Sequence, residues 1–375
     1  MIFRATELEA FAGATGGEYV HVNITSRRVS RFHVTLARTP AQEALSYIIP
    51  EMGFAKLPNV VLKGAHAVIF SPAQARYVVH RMSHRDYNPL WDADDWTRAT
   101  AEGLEADLDA PQIHIKEPAF LFGLCNNNYG HFVWEGLMRA FMLSRIPGNQ
   151  ALKIIVPDNL PKRFNFWFEA MGIAADRLIP IPALATVAVN TLYACTAPFG
   201  RASDKTPLIH EQSLHFARHS ILGGKAPRLS RQRLYFSRAD CRDKRLVNEA
   251  DVLALLEPDG FRVLTGTDTT PEEQLELVRS AETIIAPIGA ATAVAAFAPE
   301  DCMIVEMTPE RSIFGIFNAT MSSLILGQPF ARLTGSRVIL PDNPRPEPLW
   351  WDYGVDLGVV RSVLDAVLFR PKFEI

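Results

Sequence analysis

The sequence predicts an α/β protein of two Rossmann-like domains facing a cleft, the first extended by a β-rich N-terminal portion. Three observations carry this. Between Arg233 and Pro309, apolar runs of strand length (RLYFS, FRVLT, TIIAPI, CMIVEM) alternate with helix-length segments. An earlier stretch (PAFLFGL, LKIIVP, RLIPIP, TLYACTAP) repeats the alternation. The 375 residues also exceed the roughly 250 at which one core usually stops growing. Strands joined by helical crossovers pair in parallel, so the loops that follow them gather on one sheet edge, where ligands of open α/β sheets bind.

Taken in order, residues 1–118 read as strands separated by Gly-, Pro- and Asp-bearing connections: EYVHVNIT, SRFHVTLA, NVVLKGAHAVIF and ARYVVHRM. NPLWDADDWTRATAEGLEADLD is polar and reads as a loop or short helix. His21, His33, His66, His80 and His84 show no repeating ligand spacing. PAFLFGL is a strand running into the turn NNNYG. GHFVWEGLMRAFMLSRI then has helical apolar spacing through Phe132, Leu137 and Phe141. On that helix His131, Glu135 and Arg139 follow one another at intervals of four, along one face. PKRFNFWFEAMGI is a helix ending at Gly172, and LIHEQSLHFARHSILGG one stopped by Gly223-Gly224. KAPRLSRQ reads as a connector, so the domains are expected over 1–222 and 223–345. A proline-rich linker and a last helix (about Val359 to Phe369) complete 346–375, the helix expected to pack back on the first domain.

A hydrophobic content of 48% with 21% charged residues describes an ordinary soluble protein. The net charge of −3 argues against nucleic acid as a whole-molecule partner. Cys125, Cys195, Cys241 and Cys302 form no CxxC pair, which fits a reducing compartment without a disulfide framework or zinc knuckle. The N-terminus lacks a signal-peptide pattern, and no run of about 20 apolar residues would span a bilayer. A cytoplasmic location is the expectation.

Two loops at the ligand edge suit an anion, most naturally a diphosphate. SRADCRDKR follows the first strand of the second half, and there Arg238 offers a planar fork for phosphate oxygens while Ser237 offers a hydroxyl. Arg245 is the further candidate in the same loop. The small-residue turn Ile288-Gly289-Ala290-Ala291-Thr292 lets backbone approach a ligand ahead of a helix amino end. Glu306 ends the strand CMIVEM, where a carboxylate can accept both hydroxyls of a ribose. Asn248 is read as a helix cap, with Asp251 near the positive end of the dipole. Thr270-Pro271-Glu272-Glu273 has the pattern of a capping box. No GxGxxG is present, which argues against a dinucleotide redox enzyme.

These residues resemble the C-terminal half of the family 61 glycosyltransferases: Ser237-Arg238, Arg245, Asn248-Glu249, Glu273-Gln274, Gly289-Ala290 and Glu306, in that order. NNNYGHFVWEGLMR (Asn126 to Arg139) is similar to the family's N-terminal signature, and the likeness spans roughly residues 120–310. It departs at Ile288, where the family usually has His, and at Ala293, where an Asn often stands. The resemblance implies a GT-B-like, inverting transferase that moves a hexosyl or pentosyl group from a nucleotide-diphosphate sugar, usually a UDP sugar. The acceptor it implies is a glycan or glycoconjugate hydroxyl, as in bacterial polysaccharide biosynthesis. It implies that Ser237, Arg238 and Arg245 hold the diphosphate, with Glu249 a further donor-site candidate. It makes His131 or Glu135 the base that deprotonates the acceptor. Fixed cations could replace a metal, so no metal or other cofactor is expected. The departure at Ile288 supports a second reading, a non-catalytic nucleotide-sugar-binding or scaffold protein.

Overall fold

The computed structural model describes residues 1–36, 41–63, 68–78, 96–123, 129–182, 184–201, 206–223, 232–241, 245–266, 268–309, 319–342, 344 and 351–368. The turn Asn126–Asn128, Arg242, Lys244, the connector 224–231, Cys125, His66, His80 and His84 therefore lie outside the described residues. The chain is mixed α/β and separates into two compact units, Met1–Val29 with Ser46–Gly223 and Ser30–Leu45 with Gly224–Ile375.

In the first unit, four strands stand side by side in the order Leu178–Ile181, Lys153–Pro157, Ala119–Leu121, Val187–Cys195, every neighbouring pair parallel. The last of these pairs antiparallel with Met52–Lys63, which turns back into Val68–Ser71 and then Arg76–Val78. These strands of the β-rich N-terminal portion thus continue the same sheet. Leu57, Val60, Leu62, Leu121, Ile155 and Leu192, all nearly inaccessible, form its core. The polar stretch read as a loop instead holds two short antiparallel strands, Thr97–Ala99 and Leu104–Ala106. Thr100 closes the turn by donating its N–H to Gly103 O (2.8 Å), and Arg98 pairs with Glu105 across the strands (2.6 Å). Cross-strand charge pairing of this kind offsets the weak β-propensity of the segment.

In the second unit, five strands lie in the order Phe261–Leu264, Gln232–Phe236, Ala281–Pro287, Met303–Pro309, Phe330–Val338, again all parallel. The sheet then takes a strand from far upstream. Val34–Leu36, within the strand Arg27–Leu36, pairs parallel with Ala331–Leu333. The sequence placed this strand with its chain neighbours, because strand length and polarity do not encode a distant partner.

The last helix, Leu357–Leu368, is also a correction. It belongs to the second unit: Val360, Val363 and Leu364 share a buried cluster with Val252 and Leu256 of the helix Glu249–Leu256. Arg361 fastens the two helices by donating to Leu255 O (3.0 Å) and to Asp259 (3.1 Å).

The helix Pro271–Val278 starts as its sequence predicts. Glu273 N–H donates to the Thr270 hydroxyl (3.2 Å) and Thr270 N–H to the Glu273 carboxylate (2.9 Å). Thr270→Ala removes one arm of this reciprocal cap and is expected to cost about 1 kcal/mol of stability, read by urea denaturation. Among the described residues no helix is long and apolar enough to cross a membrane.

Candidate functional site

The first strand of the second unit ends at Phe236, and the chain turns at once. Ser237 is buried; its N–H donates to Leu264 O (2.8 Å) and its hydroxyl oxygen accepts from Ala239 N–H (3.1 Å). Arg238 N–H donates to the carboxylate of Glu249 (3.1 Å), and that same oxygen takes the Tyr235 hydroxyl (2.9 Å). Glu249 is therefore an internal strut of the loop, which accounts for a buried acid in the first turn of a helix.

The side chain of Arg238 lies across the second predicted loop. A Cβ placed on Gly289 would stand 3.0 Å from Arg238 Cζ and 3.3 Å from its Cδ, and closer still to the guanidinium nitrogen. Residue 289 has an extended backbone (φ 178°), which any amino acid can adopt. Glycine is thus needed there for the close passage of the arginine, not for its conformational range. Beyond it, Ala290–Phe297 winds as a 3-10 helix, with Ala290 partly exposed. Thr292 explains the tight winding by donating both its N–H (3.2 Å) and its hydroxyl (2.8 Å) to Gly289 O. Ser237, Arg238, Gly289 and Ala290 accordingly come together at the carboxyl edge of the parallel strands.

Arg245 and Glu306 sit elsewhere. Arg245 holds Asp342 bidentately (2.8 and 2.9 Å) and reaches Asp352 (2.8 Å), so its fork is occupied by carboxylates. Those hydrogen bonds, Asp342 first, raise the Arg245 pKa and lower that of Asp342. Glu306 is wholly buried: the Thr292 hydroxyl oxygen lies 3.2 Å from one oxygen and Thr320 donates to the other (3.1 Å), while Arg332 donates to Thr320 (3.2 Å). A ribose could reach that carboxylate only by displacing both threonines. Glu306 therefore corrects the ribose-binding expectation, acting from beneath the Gly289 turn. Asn248 differs as well, since its side chain makes no capping bond and instead binds Val355.

Burial pushes the Glu306 pKa up to about 7 against the opposing pull of Arg332 and the two threonine hydroxyls. A carboxyl whose folded pKa is raised stabilises the fold below its unfolded value, about 4.3, and that contribution is lost as pH rises through 7. Relative to Glu306→Gln, the parent is expected to lose up to about 3 kcal/mol between pH 5 and pH 8. Parallel thermal melts of both proteins would show the gap shifting in the variant's favour with pH.

In the first unit the helix after Ala119–Leu121 is not uniformly α. Tyr129–His131 is α-helical, Phe132–Leu137 is a π-helix, and Arg139–Ser144 returns to α. Wide turns of this kind concentrate at functional sites. His131 Nδ1 contacts Glu135 Oε1; the histidine is 39% exposed at its side chain and the glutamate 9%. The imidazole thus faces outward with the carboxylate behind it. Arg139, buried, donates its Nε to the Glu135 carbonyl (2.8 Å) and fills the space left by Gly123, whose φ is 98°. Cys195, the end of a neighbouring strand, is buried, which pushes its thiol up to about 11 despite the nearby Arg139 charge.

Among the described residues no group of three or more His, Cys, Asp or Glu is placed to hold a metal ion. A cavity of about 380 Å³ lined by Arg233, Asp259, Arg262 and Glu282 lies at the opposite, amino-terminal edge of the second sheet. Its Arg233 is already bonded to Glu282 (2.7 Å) and Asp259 O (2.8 Å).

An arginine laid over a glycine turn at the carboxyl edge of a parallel sheet is an arrangement that suits an anion. Residues 129–305 match the family model described as Glycosyltransferase 61, which takes in the His131–Glu135 helix and both anion loops and stops just short of Glu306. This match supports assignment of the chain to glycosyltransferase family 61 and, with it, a glycosyltransferase function. No curated protein matches the chain.

Proposed function

We propose that this protein is an inverting glycosyltransferase with a GT-B-like division of labour. The second unit binds a UDP sugar and the first activates a glycan or glycoconjugate hydroxyl. The observation that carries the donor half is the Arg238 guanidinium seated over Gly289 with its own amide tied to Glu249. A guanidinium so placed binds two phosphate oxygens and offsets the charge that develops as UDP departs. Ser237 and the Gly289-Ala290 turn shape that pocket, while Arg245 and Glu306 support it from behind.

On the acceptor side, a carboxylate behind a histidine fixes the tautomer. With Nδ1–H donated to Glu135, Nε2 is the basic nitrogen and takes the acceptor proton as its oxygen attacks the anomeric carbon. His131 is then the base and Glu135 its orienting partner. A hexosyl or pentosyl group is the cargo of this reading.

Isothermal calorimetry with UDP, followed by a panel of UDP sugars scored for sugar release, tests it. UDP binding with turnover of one sugar class is the expected result. UDP binding with no hydrolysis or transfer across the panel would favour the non-catalytic reading suggested by Ile288, and no UDP binding would remove the donor site.

A further inference from the structure

The short strand Asp352–Gly354 lies beyond the family match, yet its Tyr353 is bonded next to the turn at Gly289. Tyr353 is wholly buried, and burial chiefly raises its phenol pKa; the charges of Arg238, Glu306 and Glu249 all act on it. Its hydroxyl donates to Met307 O (2.8 Å), the carbonyl that also receives Ile288 N–H (2.7 Å) one residue before Gly289. On its other side the backbone of Tyr353 is bonded both ways to the Arg238 loop: its N–H goes to Arg245 O (3.0 Å), and Val247 N–H goes to its carbonyl (2.8 Å).

Two further ties fix the same strap. Asp352 accepts from Arg245 N–H and from its guanidinium, both at 2.8 Å. Asn248 donates to Val355 O (2.8 Å) and accepts from Val355 N–H (3.1 Å). Gly335 makes room for it, since a Cβ there would meet the Tyr353 ring at 2.8 Å.

One short strand therefore touches both halves of the phosphate pocket: the loop that carries Arg238 through its backbone, and the turn that carries Gly289 through the tyrosine hydroxyl. We infer that Tyr353 is a positioning residue of the donor site, holding the Arg238 loop and the Gly289 turn in register for a nucleoside diphosphate. The inference rests on the donor reading above. The hydroxyl holds the Gly289 turn through Met307 O while the backbone of the same residue holds the other loop, so losing the hydroxyl is expected to let one shift against the other.

Calorimetry with UDP on the full chain separates positioning from mere stability, because it reads both Kd and the number of competent sites. Tyr353→Phe deletes the single hydroxyl; Asn248→Ala loosens the far end of the strap at a partly exposed site and serves if the first variant folds poorly. Arg361→Ala, which loosens the last helix away from the pocket, is the stability control. The expected result is UDP binding about tenfold weaker in the strap variants at unchanged stoichiometry, with the control's Kd unaltered. Unchanged Kd in both strap variants, or a fall in stoichiometry alone, would overturn the inference while leaving the donor site standing. A parent chain that does not bind UDP would overturn the donor reading and this inference with it.

Discussion

Arg238→Ala is expected to weaken UDP binding by about 100-fold or more and to abolish measurable transfer. A charge-assisted bidentate contact to phosphate contributes about 3 kcal/mol, and Arg238 is the cation that lies against the turn at Gly289. Arg238→Lys should recover only part of the loss, because a point charge cannot reproduce the planar fork. The fold itself should tolerate the change, since the loop is held by the backbone N–H of residue 238 on Glu249 and by the Ser237 amide on Leu264, neither of which the substitution touches. Calorimetry with UDP decides the matter; affinity within twofold of the parent would end the case for a phosphate contact at Arg238.

The second large effect falls on turnover. His131→Ala is expected to lower kcat by about 10²- to 10⁴-fold with UDP affinity unchanged, the range for losing a general base. Glu135→Gln should fall less far. An amide can still contact Nδ1 but no longer stabilises the imidazolium formed as the acceptor is deprotonated. Equal losses in the two variants would point to the carboxylate as the base instead. Turnover that survives in His131→Ala would remove the dyad from the reaction altogether.

Much of this was legible in the sequence where the cause is local. The capping box at Thr270, the helix stop at Gly223 and the parallel strands from Arg233 to Pro309 follow from patterns spanning a few residues. The same holds for the proximity of His131 and Glu135, although the widened winding around Phe132–Leu137 has no such short-range marker. What escaped was set by partners far along the chain. Arg245 reads as a phosphate ligand in a basic loop until Asp342 and Asp352 arrive from 97 and 107 residues away. Glu306 reads as a ribose ligand until Thr292 and Thr320 close over it. Tyr353 lay in what reads as a proline-rich linker. The one available hint was an aromatic run, WWDY, too apolar for a solvated connector.

The upstream strand in the second sheet has a consequence for biosynthesis. Val34 and its partner Ala331 are separated by about 300 residues of chain. At about 5–20 residues per second, the N-terminal strand waits on the order of 15–60 s before its neighbour leaves the ribosome. During that interval its pairing groups must be kept from other strands, by chaperones or by the nascent first unit. A gene fragment starting at residue 224 would meanwhile yield a sheet with an open flank at Ala331–Leu333, poorly suited to soluble production.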